Sequence, residues 1–181
     1  ENIKFGFAFQ GYVGTITRVD LFRCMAADCY SVGHAQGIFI GTNDQDEFNA
    51  QPEPNQNRVD FMTIDECVMD QNGWSPTAPR AADVYPRNMY LVCWDLEVTN
   101  CIDARGSSGG IQQRLGGICH NNLVLEAPLG ISFGHAETRK YWPTIDHGGE
   151  ITDNVILDSH NIDSSPRGIG ISIANGIAVV G

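Results

Sequence analysis

The chain has 181 residues, 42% of them hydrophobic and only 18% charged, with 11 Lys and Arg set against 22 Asp and Glu. That composition suits one folded domain and excludes a disordered chain. A formal net charge of −11 repels phosphate and so argues against nucleic acid and anionic membrane as main partners. No apolar run approaches the roughly 18 residues of a spanning helix, and no basic-then-apolar leader opens the chain. Glu1 at the start, and the uncapped apolar run Ile177-Ala178-Val179-Val180 at the end, read as a piece cut from a longer protein.

Taken in chain order, the elements predicted are short strands. Gly37-Ile38-Phe39-Ile40, Val59-Asp60-Phe61-Met62-Thr63-Ile64, Leu91-Val92-Cys93-Trp94, Asn122-Leu123-Val124-Leu125 and Val155-Ile156-Leu157 are β-rich runs broken by Gly, Asn, Asp and Pro. No stretch of 11 or more residues sustains the apolar spacing of a helix. Gly41 to Glu47 is an acidic loop whose Asp44, Asp46 and Glu47 can hold Ca²⁺, although the EF-hand spacing is absent. Gly106-Ser107-Ser108-Gly109-Gly110 lacks a Walker lysine and reads as a turn. The six cysteines contain no C-x-x-C, and the C-x4-C of Cys24 and Cys29 has no second pair to complete a zinc site. Buried free thiols and one or two disulfides are both open.

Internal repetition is the stronger signal. Ile64-Asp65-Glu66-Cys67-Val68, Val98-Thr99-Asn100-Cys101-Ile102, His120-Asn121-Asn122-Leu123-Val124 and Thr152-Asp153-Asn154-Val155-Ile156 can be laid over one another, and each puts a polar residue before two apolar ones. A second unit follows the last three at variable distance: Gly110-Ile111-Gln112-Gln113-Arg114, Gly130-Ile131-Ser132-Phe133-Gly134 and Gly168-Ile169-Gly170-Ile171-Ser172. A unit of about 22 residues with optional insertions fits one coil of a solenoid whose coils stack about 4.8 Å apart. The polar residue suits a stacked turn, where Asn tolerates the left-handed conformation.

The stretches Asn121-Asn122-Leu123-Val124 to Gly130-Ile131, and Asp153-Asn154-Val155-Ile156 to Gly168-Ile169, resemble the coils of right-handed parallel β-helix proteins of the pectate-lyase-like superfamily. The likeness spans about Val59 to Ile173. It implies an all-β solenoid filling residues 1–181 as one domain, with insertions at about 41–57, 72–83 and 135–149. Such a fold carries many activities, so function has to be argued from the site.

Alternation along a strand places Ile111, Gln113, Ile131, Phe133, Ile169, Ile171 and Ile173 inside the coil. It places Gln112, Arg114, Ser132, Gly134, Gly170 and Ser172 outside. Aligning Val84-Tyr85-Pro86-Arg87 on the same coil position puts Arg87 outside, next to Arg114. The insertion His135-Ala136-Glu137-Thr138-Arg139-Lys140-Tyr141-Trp142 leaves the same edge and holds Lys140, one of only two lysines. Elimination on a uronate glycan needs a cation for the carboxylate, a base for the C5 proton and an acid for the leaving oxygen. Arg114, Lys140, His135 and Tyr141 supply these types as catalytic candidates, with Arg87, Arg139 and Trp142 as substrate-binding ones. The bland alternative is that the arginines make surface ion pairs and Tyr141 and Trp142 pin the loop. The function expected is therefore a polysaccharide lyase, or a related epimerase, acting on an acidic polysaccharide and secreted or held at the cell surface. The alternative is a non-catalytic glycan-binding or structural segment of a tailspike, adhesin or filament. Apart from possible Ca²⁺, no cofactor or resident metal is expected. The remaining partners are the rest of a longer β-helix or further copies of the chain.

Overall fold

The computed structural model describes residues 4–9, 15–30, 35–40, 59–74, 86–134, 148–162, 167–173 and 178–179. Among these residues the regular structure is entirely strand, arranged in three parallel sheets. Sheet A takes β1 (Phe5–Phe9), β4 (Gln36–Ile40), β7 (Arg87–Leu91), β10 (Ile111–Gln113), β13 (Leu129–Phe133) and β16 (Ile169–Ile173). Sheet B takes β2 (Ile16–Phe22), β5 (Val59–Asp65), β8 (Asp95–Thr99), β11 (Gly117–His120), β14 (Gly148–Thr152) and β17 (Ala178–Val179). Sheet C takes β3 (Met25–Ala27), β6 (Val68–Asp70), β9 (Ile102–Ala104), β12 (Leu123–Leu125) and β15 (Val155–Leu157). The chain visits A, B and C in turn and returns to A beside the strand it left, as a parallel β-helix requires. Segment 41–57 and most of 72–83 and 135–149 lie outside the described residues.

The corners explain why these residues repeat. The turn from sheet B to sheet C uses one residue with positive φ in every coil: Arg23, Glu66, Asn100, Asn121 and Asp153. The turn from C back to A uses Asp28, Gln71, Arg105, Glu126 and Asp158 in the same way. A single left-handed residue turns a strand sharply while costing one strained dihedral pair. The residue after it then satisfies buried backbone groups of the neighbouring coil. Asn122 Oδ1 accepts from Cys101 N at 2.9 Å, while Asn122 Nδ2 donates to Val98 O at 2.9 Å. Asn154 Oδ1 accepts from Asn122 N at 2.9 Å, and Asn154 Nδ2 donates to Cys119 O at 2.7 Å. Toward the other end the same column holds cysteine, and Cys24 N donates to Cys67 Sγ at 3.4 Å. The left-handed Asn121 and Asn100 form a second ladder that ends on Asp65, the residue before the left-handed Glu66: Asn121 donates to Asn100 and Asn100 to Asp65, both at 2.7 Å. The Asn100 amide, followed by the Thr99 hydroxyl, holds the Asp65 carboxyl below its ordinary value.

The register corrects the repeat alignment by one residue. Ile64 and Val98 are stacked as expected, but the next rungs are Cys119 and Ile151, so His120 and Thr152 stand one place further along. The true columns are Glu66, Asn100, Asn121, Asp153 for the turn and Cys67, Cys101, Asn122, Asn154 for the ladder. Two adjacent asparagines in Asn121-Asn122 allow either alignment by type, and only the hydrogen bonds distinguish them. Cys67 and Cys101 are neighbours, with Ile102 N donating to Cys67 O at 2.9 Å. All six cysteines are free thiols, and five of them are buried. Burial pushes the Cys93, Cys101 and Cys119 thiols up to about 12.

Between the sheets runs one apolar core. Ile38, Met89, Ile111 and Ile131 stack in sheet A, and Met62 and Leu96 in sheet B are followed two residues on by Ile64 and Val98. Gln113 enters this core as expected and is wholly buried, donating to Ile118 O at 3.0 Å. Ile171 continues the interior column, in register with Ile131, yet Ile169 and Ile171 are 44% and 46% exposed. They belong to β16, the last described strand of sheet A, so no described strand covers their far side. Ile169 also stands in the column of Gln36, Arg87 and Leu129 at the start of the strands, outside the main cluster.

Ile131→Ala should cost about 2–5 kcal/mol, the usual range for emptying a buried aliphatic site, and Ile171→Ala much less because that side chain is half exposed. Urea denaturation checks the difference, and equal effects would contradict the burial pattern. Asn122→Ala should cost about 1–3 kcal/mol in the same measurement, since it leaves the buried Cys101 N–H without its acceptor.

Candidate functional site

The outer face of sheet A is built by alternation. Ala8, Phe39, Tyr90, Gln112, Ser132 and Ser172 form its central column, one residue per coil. In-register stacking brings the side chains of this column within a strand spacing of one another. Consequently the Phe39 and Tyr90 rings stack at 5.5 Å between centroids and 16° between planes; Phe5, in register with Gln36 at the start of β1, also stacks on Phe39, over the place left by the small Ala8, at 5.0 Å and 21°. Each of the three rings is half-buried.

Cations close both ends of this stack. Lys4 Nζ lies 5.0 Å from the centre of the Phe5 ring, and the Arg114 guanidinium lies 5.3 Å from that of Tyr90. Arg114 also donates to the Tyr90 hydroxyl. The ring quadrupole attracts a cation over its face, so Arg114 is held in a defined place as well as charged. Alternation therefore put Arg114 on the correct face.

Arg87 occupies a different position from the one expected. The strand of its coil begins at Arg87 itself, and Met89 rather than Val84 lies in register with Ile111. Pro86 has no N–H to give to a ladder, and the residue matching Arg114 is Val92. Arg87 thus lies at the start of the strand face and Arg114 just past its end, five residues apart in register, which is about 16 Å along the strand direction. Arg87 is 7% exposed. Its Nε donates to Gln112 Oε1 at 2.6 Å, and its Nη1 to Ser108 Oγ at 3.4 Å. The Ser108 hydroxyl donates in turn to Pro86 O. Gly109 lies under this guanidinium; a Cβ there would come within 3.4 Å of Arg87 Cγ and Nη1.

Lys140, His135, Tyr141, Arg139 and Trp142 lie outside the described residues, as do Asp44, Asp46 and Glu47 of the acidic loop. Within the six strands of sheet A, Arg87 and Tyr90 are the only residues with titratable side chains. Among the described residues no group of three or more His, Cys, Asp or Glu is placed to hold a metal ion. Sequence reasoning missed Lys4, Phe5, Phe39 and Tyr90. Its usable signal was the alternation after Gly6 and Gly37, which puts Ala8 and Phe39 in the column later occupied by Gln112 and Ser132.

The chemical capacity of this face follows from its parts. Flat half-buried rings present π faces to the C–H face of a sugar, and a positioned guanidinium offers a bidentate fork to a carboxylate. Arg114→Ala should leave stability within about 1 kcal/mol, because an exposed cation–π contact contributes roughly 0.5–1 kcal/mol; thermal unfolding of the two proteins checks this. Compared with protein-family models, with curated proteins and with solved structures, the chain finds no match.

Proposed function

We propose that this chain is a carbohydrate-active, right-handed parallel β-helix of the pectate-lyase-like kind, and that an acidic, uronate-containing glycan lies across the outer face of its sheet A. The observation that carries the reading is the aromatic stack Phe5–Phe39–Tyr90 closed by Lys4 and Arg114. On a chain of net charge −11, this local pairing of rings and cations suits a sugar that is flat on one face and anionic at its edge.

The reaction proposed is β-elimination, with C5 epimerisation as its close relative, since both begin with removal of the C5 proton. Arg114 neutralises the uronate carboxylate and so lowers the cost of charge developing on it. The Tyr90 hydroxyl, which accepts a hydrogen bond from Arg114, stands beside that carboxylate as a proton-transfer group. Lys140, His135 and Tyr141 are the proposed sources of the base, and Arg139 and Trp142 the proposed binding residues; Arg87, buried against Gln112 and Ser108, braces the face rather than meeting the glycan. Secretion or display at the cell surface belongs to the same reading, because that is where such glycans are met.

A second reading is a non-catalytic glycan-binding segment. It is favoured by one observation: the sheet A strands hold no His, Lys, Asp or Glu. Incubation with alginate, pectate and chondroitin, read as ultraviolet absorbance of the unsaturated product, separates the two. Product formation supports the lyase, whereas binding without product supports the second reading. Absence of binding to all three removes the glycan assignment. Tyr90→Phe keeps the stack and removes only the hydroxyl. If Tyr90 transfers the proton, turnover should fall about 10²–10⁴-fold with binding retained; unchanged turnover returns that role to the insertion at 135–142.

A further inference from the structure

Where the chain enters each strand of sheet A it is still turning in from sheet C. The residue just before the first core position therefore faces the interior side chains of sheet C. That residue is Gly6, Gly37, Gly110, Gly130 or Gly170 in five coils, and Asn88 in the third. Glycine is needed because the approach is close: a Cβ on Gly130 would come within 2.7 Å of Ile156 Cγ2, and one on Gly37 within 3.1 Å of Met69 Sδ. The facing column in sheet C is Ala26, Met69, Asp103, Val124 and Ile156. Glycine thus meets apolar side chains in these coils, with Gly110 lying against Asp103 Oδ1 as well as Val124, and only in the third does asparagine meet aspartate.

Asp103 and Asn88 are both completely buried. Asn88 Nδ2 donates to Asp103 Oδ1 at 2.8 Å and to Ala104 O at 2.8 Å. Asn88 Oδ1 accepts from Asn72 N at 3.1 Å and from Asn72 Nδ2 at 2.9 Å. Asp103 Oδ2 has no hydrogen-bond partner. The groups packed around the carboxyl bring no positive charge. Met69, Val124 and Gly110 are uncharged, the Cys101 and Cys119 thiols are neutral, and the nearby Asp70 is itself acidic.

We propose that Asn88 and Asp103 form a proton-operated latch in the third coil: Asn88 ties β9 to β7 whether or not the carboxyl carries its proton, and the coil stays closed while Asp103 is protonated, because ionisation puts into the core a charge that this one hydrogen bond does not compensate and so loosens the coil. The stretch from Arg87 to Tyr90 on the outer face of sheet A belongs to the same strand and loosens with it. Burial, opposed in part by the hydrogen bond from Asn88 and reinforced by Asp70, pushes the Asp103 carboxyl up to about 8. The unfolded chain gives up this proton near the ordinary value of about 3.9. Between those limits the folded state holds one proton more than the unfolded state, so stability falls as pH rises. It is greatest below about pH 4 and the loss is complete above about pH 8. The latch is independent of what the outer face binds.

The test is equilibrium unfolding in urea between about pH 5 and 7.5, on the parent, on Asp103→Asn and on the double variant Asn88→Gly with Asp103→Val. The double variant installs the Gly and Val of the next coil. In this window the parent's unfolding constant should rise by up to about tenfold per pH unit relative to either variant. Asp20 and Asp65, held below their ordinary values by their hydrogen bonds, act only at lower pH. The buried thiols act above about 8.5, and histidines common to all three proteins cancel in the comparison. A slope equal in parent and variants overturns the proposal. Should neither variant fold, the carbon-13 shift of the Asp103 carboxyl in the parent decides: a midpoint above about pH 6 supports the latch, and one near 4 overturns it.

Discussion

The structure depends on one requirement: every buried backbone group at a corner must find its partner in the neighbouring coil. In a strand the ladder supplies those partners, but at a sharp corner it is interrupted, and an unpaired buried N–H or C=O costs about 1–3 kcal/mol. Asn122 and Asn154 meet the requirement with side-chain amides, which both donate and accept. Because such a residue must sit directly above its equivalent, the corner fixes the register of the strands on either side. The core columns and the outer column of sheet A follow from that register.

The cysteines in the same column extend this logic with a weaker group. A thiol is a poor acceptor and donor, yet Cys67 Sγ still receives Cys24 N, and Cys67 and Cys101 are buried. Asparagine serves the coils from Cys119 onward and cysteine the coils before Ile102. The exchange replaces amide hydrogen bonds with small-residue packing while leaving the turn residue before it unchanged in conformation.

The outer and inner faces of sheet A are linked through the third coil. Arg87, Asn88, Met89 and Tyr90 are consecutive, and each is committed to a different environment. Arg87 is bound to Gln112, Asn88 to the buried Asp103, Met89 to the core, and Tyr90 to the ring stack. The strand that carries Tyr90, the ring at the Arg114 end of the stack, is therefore also the strand with the polar interior. Its neighbours on both sides put glycine where it has Asn88, so the energetic burden of a buried carboxyl is confined to one coil and borne by one strand.

The sequence by itself determined the architecture, because a solenoid repeats its constraints. Polar residues before apolar pairs, and glycine before alternating isoleucines, recur wherever the chain turns the same corner, so the parallel all-β reading and the placement of Arg114 outside and Gln113 inside were legible. The tertiary structure decided what depends on absolute register. Asn121-Asn122 offers two asparagines for one ladder position, and only the bonds to Cys101 N and Val98 O show that the second takes it. Arg87 resembles Arg114 as a residue type, but the core columns place Met89 under Ile111 and so set Arg87 at the opposite end of the strand face. Lys4, Phe5, Phe39, Tyr90 and Arg114 are scattered over 110 positions, from 4 to 114 in the chain; they meet because stacking brings coils that are distant in sequence within about 5 Å of one another.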